Sequence, residues 1–562
     1  MYSISIYNKF FHVIVFFFLC VTQSVFIVFA QPIPVAYTTG LPFSMPVVHV
    51  PIFPERIVNI KDHDAVGDGQ TVNTEFINSA IQDCAKTGGG TVVVPPGTWL
   101  TGPIKLESNI NLHVEKGALV QFTKNINNYP FIESTEGRFK RTQLISAYEA
   151  KNIAITGEGI FDGAGDVWRY VKREDLTEHQ WKSLIASGGI VSADGEEWWP
   201  SKEAMDAEKF LKESAERKKN PTKEEYESTK EFLRPNLVNF VQCNGILIDG
   251  PTFENSPRYH IIPQQCENLI IRNVKVFAPV SGKNTDAIDP SACRNVVIYN
   301  CTIDVGDDGI CLKPGTIASS QKPGPACENI VVADCVVYHA HGGFVVGSES
   351  YGGARNIYVH NCVFIGTDVG LRFKSARGKG GVIEKIFIDG IQMHEIVTDA
   401  ILFDMYYSGG SPDVEAKKDL TLRKAEPITD RTPQFKDFHV QNIVCNGADR
   451  AVVINGLPEL LIKNMILENV SIESRRGAFI ADADGVLMDG CRIAPLSGNV
   501  FNIIQSRNIT IKGGTYPAPI DLFLKVSGER SENISLIGVD LKHVKKGIEL
   551  EKNVRADAIK LE

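Results

Sequence analysis

The 12 cysteines of this 562-residue chain include no Cys-x-x-Cys spacing, which argues against a zinc site. Basic residues are not in excess either. Lys and Arg number 58 against 67 Asp and Glu, for a formal charge of −9. Lys9 is the only charged side chain in residues 1–30, so the remainder carries −10. A chain this acidic gains no global attraction to nucleic acid or anionic lipid, and neither a nucleic-acid nor a stable membrane partner is expected. The apolar stretch near the N-terminus is broken by Thr22, Gln23 and Ser24, so it makes a poor membrane span. Lys9, the run Phe10–Cys20, and Val28-Phe29-Ala30 before Gln31 read instead as a signal peptide over residues 1–30, and a secreted, periplasmic or extracellular protein is expected. An uncleaved anchor is the second reading. A lipoprotein ranks third, because Phe18-Leu19 before Cys20 lacks the small residues such a site favours.

Removing Cys20 leaves an odd eleven cysteines, so at least one is unpaired. Most sit inside apolar runs: Cys243, Cys266, Cys293, Cys301, Cys311, Cys327, Cys335 and Cys362. Small buried hydrophobes in stacked strands are the expected role. Charged residues make up 22% of the chain with both signs throughout, so no segment resembles a disordered tail.

A chain of this length implies several domains unless it is a solenoid, which grows by stacking. One phrase recurs: a charged residue, Asn, then an apolar-rich run. It occurs at Asn152, Asn268, Asn295, Asn329, Asn356, Asn508 and Asn533, with successive spacings of 27, 34 and 27 residues from Asn268 to Asn356. Short β-branched strands at that period predict an all-β parallel β-helix of about three strands per coil. Coils then stack at the ~4.8 Å strand spacing, and the asparagines can bond up and down the stack. Asn508 and Asn533 also match glycosylation sequons, but their place in the repeat favours the ladder. Asn73 before Phe76, Ile77, Ala80, Ile81 and Cys84 predicts a capping helix with Asn73 as N-cap. The expected organisation is a signal at 1–30, a linker at 31–56 and a β-helix domain at 57–562. A helical lobe is inserted at about 166–234, where Glu and Lys take helical spacing. Four of the five tryptophans lie there. Trp168 and Trp181 are expected in a mini-core, while Trp198-Trp199 could wall a sugar subsite.

Four clusters each follow an apolar strand: Asn284-Thr285-Asp286, Gly306-Asp307-Asp308, His341-Gly342-Gly343 and Arg372-Phe373-Lys374. Asp286 and Asp307 are 21 residues apart, which sets them on neighbouring coils with Asp308 alongside. Three carboxylates together raise at least one pKa and create a proton donor. The spacings of 34 to His341 and 31 to Arg372 each fit one further coil, the first with the loop at 314–325. His341 then lies by the acid, and Arg372 and Lys374 share a face suited to an anionic substrate.

Together these clusters resemble the Asn-Thr-Asp, Gly-Asp-Asp, Gly-His-Gly and Arg-Ile-Lys motifs of glycoside hydrolase family 28, the polygalacturonases. The resemblance runs from about Ile57 to Lys552, with Ala340 and Phe373 as the departures. It implies a single-stranded right-handed parallel β-helix and hydrolysis of α-1,4-linked galacturonate with inversion. No metal and no cofactor are expected, the partner being pectin or polygalacturonate, and the enzyme is expected to be a monomer. By resemblance Asp307 is the general acid, Asp286 and Asp308 activate water, and His341 is the active-site histidine. Arg372 and Lys374 bind the substrate carboxylate, and Asn284 is a further substrate contact in the first motif. Tyr406 or Tyr407 matches a tyrosine lining the cleft. Exo action is expected because the lobe could block one end of the groove, and because Gly342–Glu349 looks more like bacterial exo-acting relatives. The alternatives are a rhamnogalacturonan or xylogalacturonan hydrolase, a calcium-dependent pectate lyase, and a non-catalytic carbohydrate-binding β-helix. One tension concerns geometry. Carboxylates on adjacent coils start about 5 Å apart, nearer the spacing of retaining enzymes than of inverting ones.

Overall fold

Each coil turns at a residue held in the left-handed region, which costs most L-residues about 1–2 kcal/mol but which Asn adopts readily. In the computed structural model, which describes residues 32–133, 139–216, 221–315, 324–408, 419–517 and 520–562, all seven asparagines of the repeated phrase have φ between +52 and +57°. Their amides form the expected ladder. Asn295 donates to Asn268 at 3.2 Å, Asn329 to Asn295 at 3.1 Å and Asn356 to Asn329 at 3.0 Å. Asn533 donates to Asn508 at 2.6 Å, and Asn508 to Asp484 at 2.7 Å, so both sequon amides are engaged in the stack. A second ladder, outside the recurring phrase, runs along another corner. There Asn300 donates to Asn273, and Asn469 to Asn442, each at 2.7 Å.

Three parallel sheets result, making the right-handed parallel β-helix. The first climbs strand on strand from Ile57–Asn59 and Gly90–Val94 to Ile559–Leu561. The second begins with Gly97–Thr101 paired to Ala118–Phe122 and ends at Arg492–Pro495. The third, which carries the site, includes Ile261–Gln264, Ile310–Leu312, Phe344–Val346, Val369–Lys374 and Asp399–Asp404. Single bridges at Ile288 and Ser291 join Ile261–Gln264 to Ile310–Leu312. Because side chains alternate along a strand, Leu371 and Phe373 enter the core while Arg372 and Lys374 point away. Inside, like residues sit above like: Phe373 stacks on Phe403 at 4.8 Å and Phe161 on Phe253 at 5.3 Å. The eleven cysteines after Cys20 are all unpaired and buried, as packing residues should be.

The N-terminal end is closed by the helix Thr74–Lys86, which buries Ile77, Ala80, Ile81 and Cys84. Asn73 holds the N-cap position but its side chain does not cap. It is spent pinning the preceding loop, accepting from Val66 N and donating to the carbonyls of Val66, Thr71 and Leu100. The lobe contains the helices Glu178–Ala186, Lys202–Glu216 and Lys223–Ser228 and a small antiparallel sheet. Trp198 and Trp199 are buried in it, Trp199 stacked on Tyr170 at 4.5 Å, so neither walls a sugar subsite. Trp181 is buried in a lobe helix, whereas Trp168 packs into the main core against Tyr129. Residues 1–31, and with them the expected signal, lie outside the described residues. No described helix is long and apolar enough to cross a membrane.

Asn329→Ala removes two ladder bonds and leaves a Cβ residue at φ +56°. It is expected to cost about 2–3 kcal/mol in chemical denaturation, with Asn329→Gly recovering about 1 kcal/mol by relieving the backbone alone.

Candidate active site

The four clusters fall at the start of, or on, successive strands of the third sheet, so stacking alone brings them together. Ala287 N bonds Asp308 O at 3.0 Å, and His341 N bonds Asp307 O at 3.0 Å, tying the three coils in register. Gly306 is required here: a Cβ would lie 2.5–2.7 Å from the carbonyl oxygens of Pro279, Val280 and Gly282. At Gly343 a Cβ would lie 2.4–2.6 Å from the Phe364 ring.

Charge decides the state of each carboxyl. Lys374 Nζ donates to Asp308 Oδ2 at 2.7 Å, and Arg372 Nη1 lies 3.8 Å from Asp308 Oδ1. Burial would raise Asp308, but Lys374, Arg372 and Lys313 outweigh it and hold this carboxyl well below the usual range. Asp307 accepts from its own neighbour Asp308 N at 2.9 Å and faces His341 Nδ1 at 3.3 Å. Burial pushes Asp307 up too, yet the His341 hydrogen bond and nearby cations leave it lowered. That same hydrogen bond raises His341, whose Nε2 lies 3.7 Å from Asp368. The Asp307–His341 pair therefore stores one proton, drawn toward the imidazole.

Asp286 behaves oppositely. Burial, reinforced by repulsion from Asp307 and Asp308 and opposed by Lys313, pushes it up to about 6. A carboxyl with a raised pKa is thus present among the three, as expected, and it is Asp286. Asp286 and Asp308 present oxygens within 4.8 Å of each other and of Cys311 Sγ. Such a spacing could suit a divalent cation, but Lys313 at 2.8 Å and Lys374 at 2.7 Å already neutralise the two carboxylates. Asp286 Oδ1 and Asp308 Oδ1 are buried with no hydrogen-bond partner among the described residues. The site thus offers a stored proton and two carboxylate oxygens with no hydrogen-bond partner among the described residues.

Of the remaining expected residues, Tyr407 lies by the basic pair, its ring 5.5 Å from the Arg372 guanidinium and 5.1 Å from Lys374 Nζ. Tyr406 points elsewhere, between Arg377 at 5.2 Å and Arg423 at 4.3 Å. Asn284, at φ +56°, reaches Asp307 Oδ2 at 3.5 Å and accepts from Arg234 Nη2 at 2.7 Å. Arg234 was not expected. It closes the lobe segment and also donates to the carbonyls of Lys283 and Pro257, while Asp175 of the lobe pairs with Lys283 at 2.7 Å. Lys313, Asp289 and Asp368 were missed as well. Lys313 and Asp289 could have been found, since each lies a few residues beyond one of the four clusters on the same sheet.

A paired set of carboxyls with a stored proton on a parallel β-helix is the equipment of a glycoside-cleaving enzyme. Residues 172–474 match the family described as Glycosyl hydrolases family 28, and residues 57–160 match the Rhamnogalacturonase A/epimerase, pectate lyase-like family. The chain belongs to glycosyl hydrolases family 28 and is a glycoside hydrolase. It is 26% identical over 478 residues to the exo-poly-alpha-D-galacturonosidase of Dickeya chrysanthemi, covering 82% of this chain and 75% of that protein. Identity to a probable polygalacturonase of Vitis vinifera is 24% over 429 residues, 74% of each chain. The crystal structure of a hyperthermoactive exopolygalacturonase from Thermotoga maritima is similar with a TM-score of 0.61 and 28% identity, over 88% of this chain and 94% of that one.

Arg234→Met is expected to destabilise the protein by about 3 kcal/mol in urea, through three lost charge-assisted bonds. Asp175→Asn, which weakens one pair, should cost about 1 kcal/mol.

Proposed function

We propose that the enzyme hydrolyses α-1,4 bonds between galacturonate residues of pectin or polygalacturonate, acting from a chain end. The observation that carries the chemistry is the pair of buried oxygens, Asp286 Oδ1 and Asp308 Oδ1, that have no hydrogen-bond partner among the described residues and belong to carboxyls on the first coil of the proton-storing Asp307–His341 pair and the coil before it. Asp307 donates its proton to the leaving glycosidic oxygen, and His341 resupplies it. Asp286 and Asp308 hold one water between them and direct it at the anomeric carbon. The water oxygen bonds that carbon as the glycosidic bond breaks, and its released proton goes to Asp286. Arg372, whose Nε has no partner among the described residues, grips the substrate carboxylate, with Lys374 beside it and Tyr407 against both cations.

Exo action is supported by the lobe. Arg234 and Asp175 dock on Asn284 and on Lys283 just before it, so the lobe abuts the catalytic coil and can stop a chain end there. The apolar run at Phe10–Cys20 supports export to where pectin is found.

Polygalacturonic acid incubated with the enzyme in EDTA should yield monogalacturonate from the outset, with slow loss of viscosity. A ladder of oligomers would reject the exo reading, and the absence of saturated product would reject the substrate. Asp307→Asn should lose at least ~10³-fold in kcat with little change in KM. Asp286 must be ionised to accept a proton, so kcat/KM should rise with pH through about 6. It should fall again at higher pH, above the ordinary imidazole range, as the raised His341 loses the stored proton. A steady-state pH series reads both limbs.

A further inference from the structure

Beneath Asp286 lies a second buried group that the mechanism above does not use. Lys313, on the coil after Asp286, is largely buried and donates to Asp286 Oδ2 at 2.8 Å. The same ammonium lies 3.4 Å from Asp289 Oδ2. Asp289 is fully buried, and neither of its carboxyl oxygens has a hydrogen-bond partner among the described residues. One cation thus faces two buried carboxyls. The Tyr259 ring lies 5.1 Å from Lys313 Nζ, and Cys311 Sγ lies 3.5 Å from it.

Two ionised carboxylates cannot share one lysine there, because burial penalises each charge and each repels the other. The nearer carboxyl, with the true hydrogen bond, keeps the charge and the deeper one keeps a proton. We infer that Lys313 is the positioning residue that holds Asp286 ionised and turned with its Oδ1 toward the substrate, while Asp289 stays a neutral acid beside it. The inference deepens the proposed function and rests on its reading of Asp286 as a base. The groups facing Asp286 all fit this balance. Asp289 lies on its own segment, and Tyr259 and the neutral His260 on the coil before. Asp307, Asp308, Cys311 and Lys313 lie on the coil after. Asp307 and Asp308 have their own cations in His341, Lys374 and Arg372, which leaves Lys313, among the described residues, as the cation directly bonded to Asp286. Burial and the Asp286 charge raise Asp289 well above the carboxylate range, consistent with a retained proton.

The test compares pH profiles of kcat/KM on polygalacturonate for wild type, Lys313→Met, Lys313→Arg and Asp289→Asn. Lys313→Met should move the acid limb up by at least about one pH unit, a tenfold loss on the acid side that shrinks as pH rises toward the basic limb. Lys313→Arg, which restores the charge, should return the limb to within about 0.3 unit of wild type. Asp289→Asn replaces a neutral acid by a neutral amide and should leave the limb within the same margin. An unmoved limb in Lys313→Met, with a uniform drop in kcat, would reduce Lys313 to a structural role and overturn the inference. A downward shift of about a unit in Asp289→Asn would show Asp289 to be ionised and overturn it equally, even if the methionine variant fails to fold. Carboxyl infrared difference titration of Asp286→Asn against wild type, with no substrate present, reads the same proton directly. A limb and a band that disagree would separate failure of the base assignment from failure of this inference.

Discussion

The register of one coil upon the next governs both the fold and its chemistry. Each coil must place its strands one hydrogen-bonded spacing above those below, and asparagines at φ near +55° fix where the chain turns. Once that register is set, Asp286, Asp307, His341 and Arg372 have no freedom to be far apart. They lie within a few residues of one another along four successive coils of one sheet, with Asp307 level with His341, Asp286 level with Asp308, and Arg372 paired to Val345 further along the strand. A slip of one residue would carry Arg372 and Lys374 into the core and Phe373 out of it.

Stacking charged residues this closely creates an electrostatic problem that the site resolves by pairing. Asp286, Asp289, Asp307 and Asp308 lie within two coils, and Lys313, Lys374, Arg372 and His341 meet them. The pairing is unequal. Asp308 is neutralised twice and stays ionised, Asp307 shares a proton with His341, and Asp286 competes with Asp289 for one lysine. Differences in partner, rather than in residue type, separate the roles of four chemically identical side chains.

Much of this was legible in the sequence because β-helix periodicity is written in side chains that face one way. The asparagine spacing, the Asp286-to-Asp307 interval and the alternation at Arg372-Phe373-Lys374 each encode position directly. Other features depend on distant contacts that no local pattern reports. Arg234 joins the site only because the lobe folds back onto Lys283 and Asn284. The choice between Tyr406 and Tyr407 turns on strand parity just past Asp404, where the strand ends. Asn73 looks like a cap by spacing, yet its amide and carbonyl oxygen are drawn into the preceding loop. The pair Trp198-Trp199 sits in a two-residue context that cannot distinguish a lobe core from a sugar platform. Which carboxyl keeps a proton was also hidden, since it is set by lysines on neighbouring coils.

The central claim is that Asp286 and Asp308 act together on a water instead of one of them attacking the sugar. Their approach to within 4.8 Å is by itself compatible with either course. Proton NMR of the products in the first minutes of hydrolysis separates the two. The shared-water account predicts that the new reducing end appears first as the β-anomer and only later mutarotates. Initial release of the α-anomer would contradict it and make one aspartate a nucleophile.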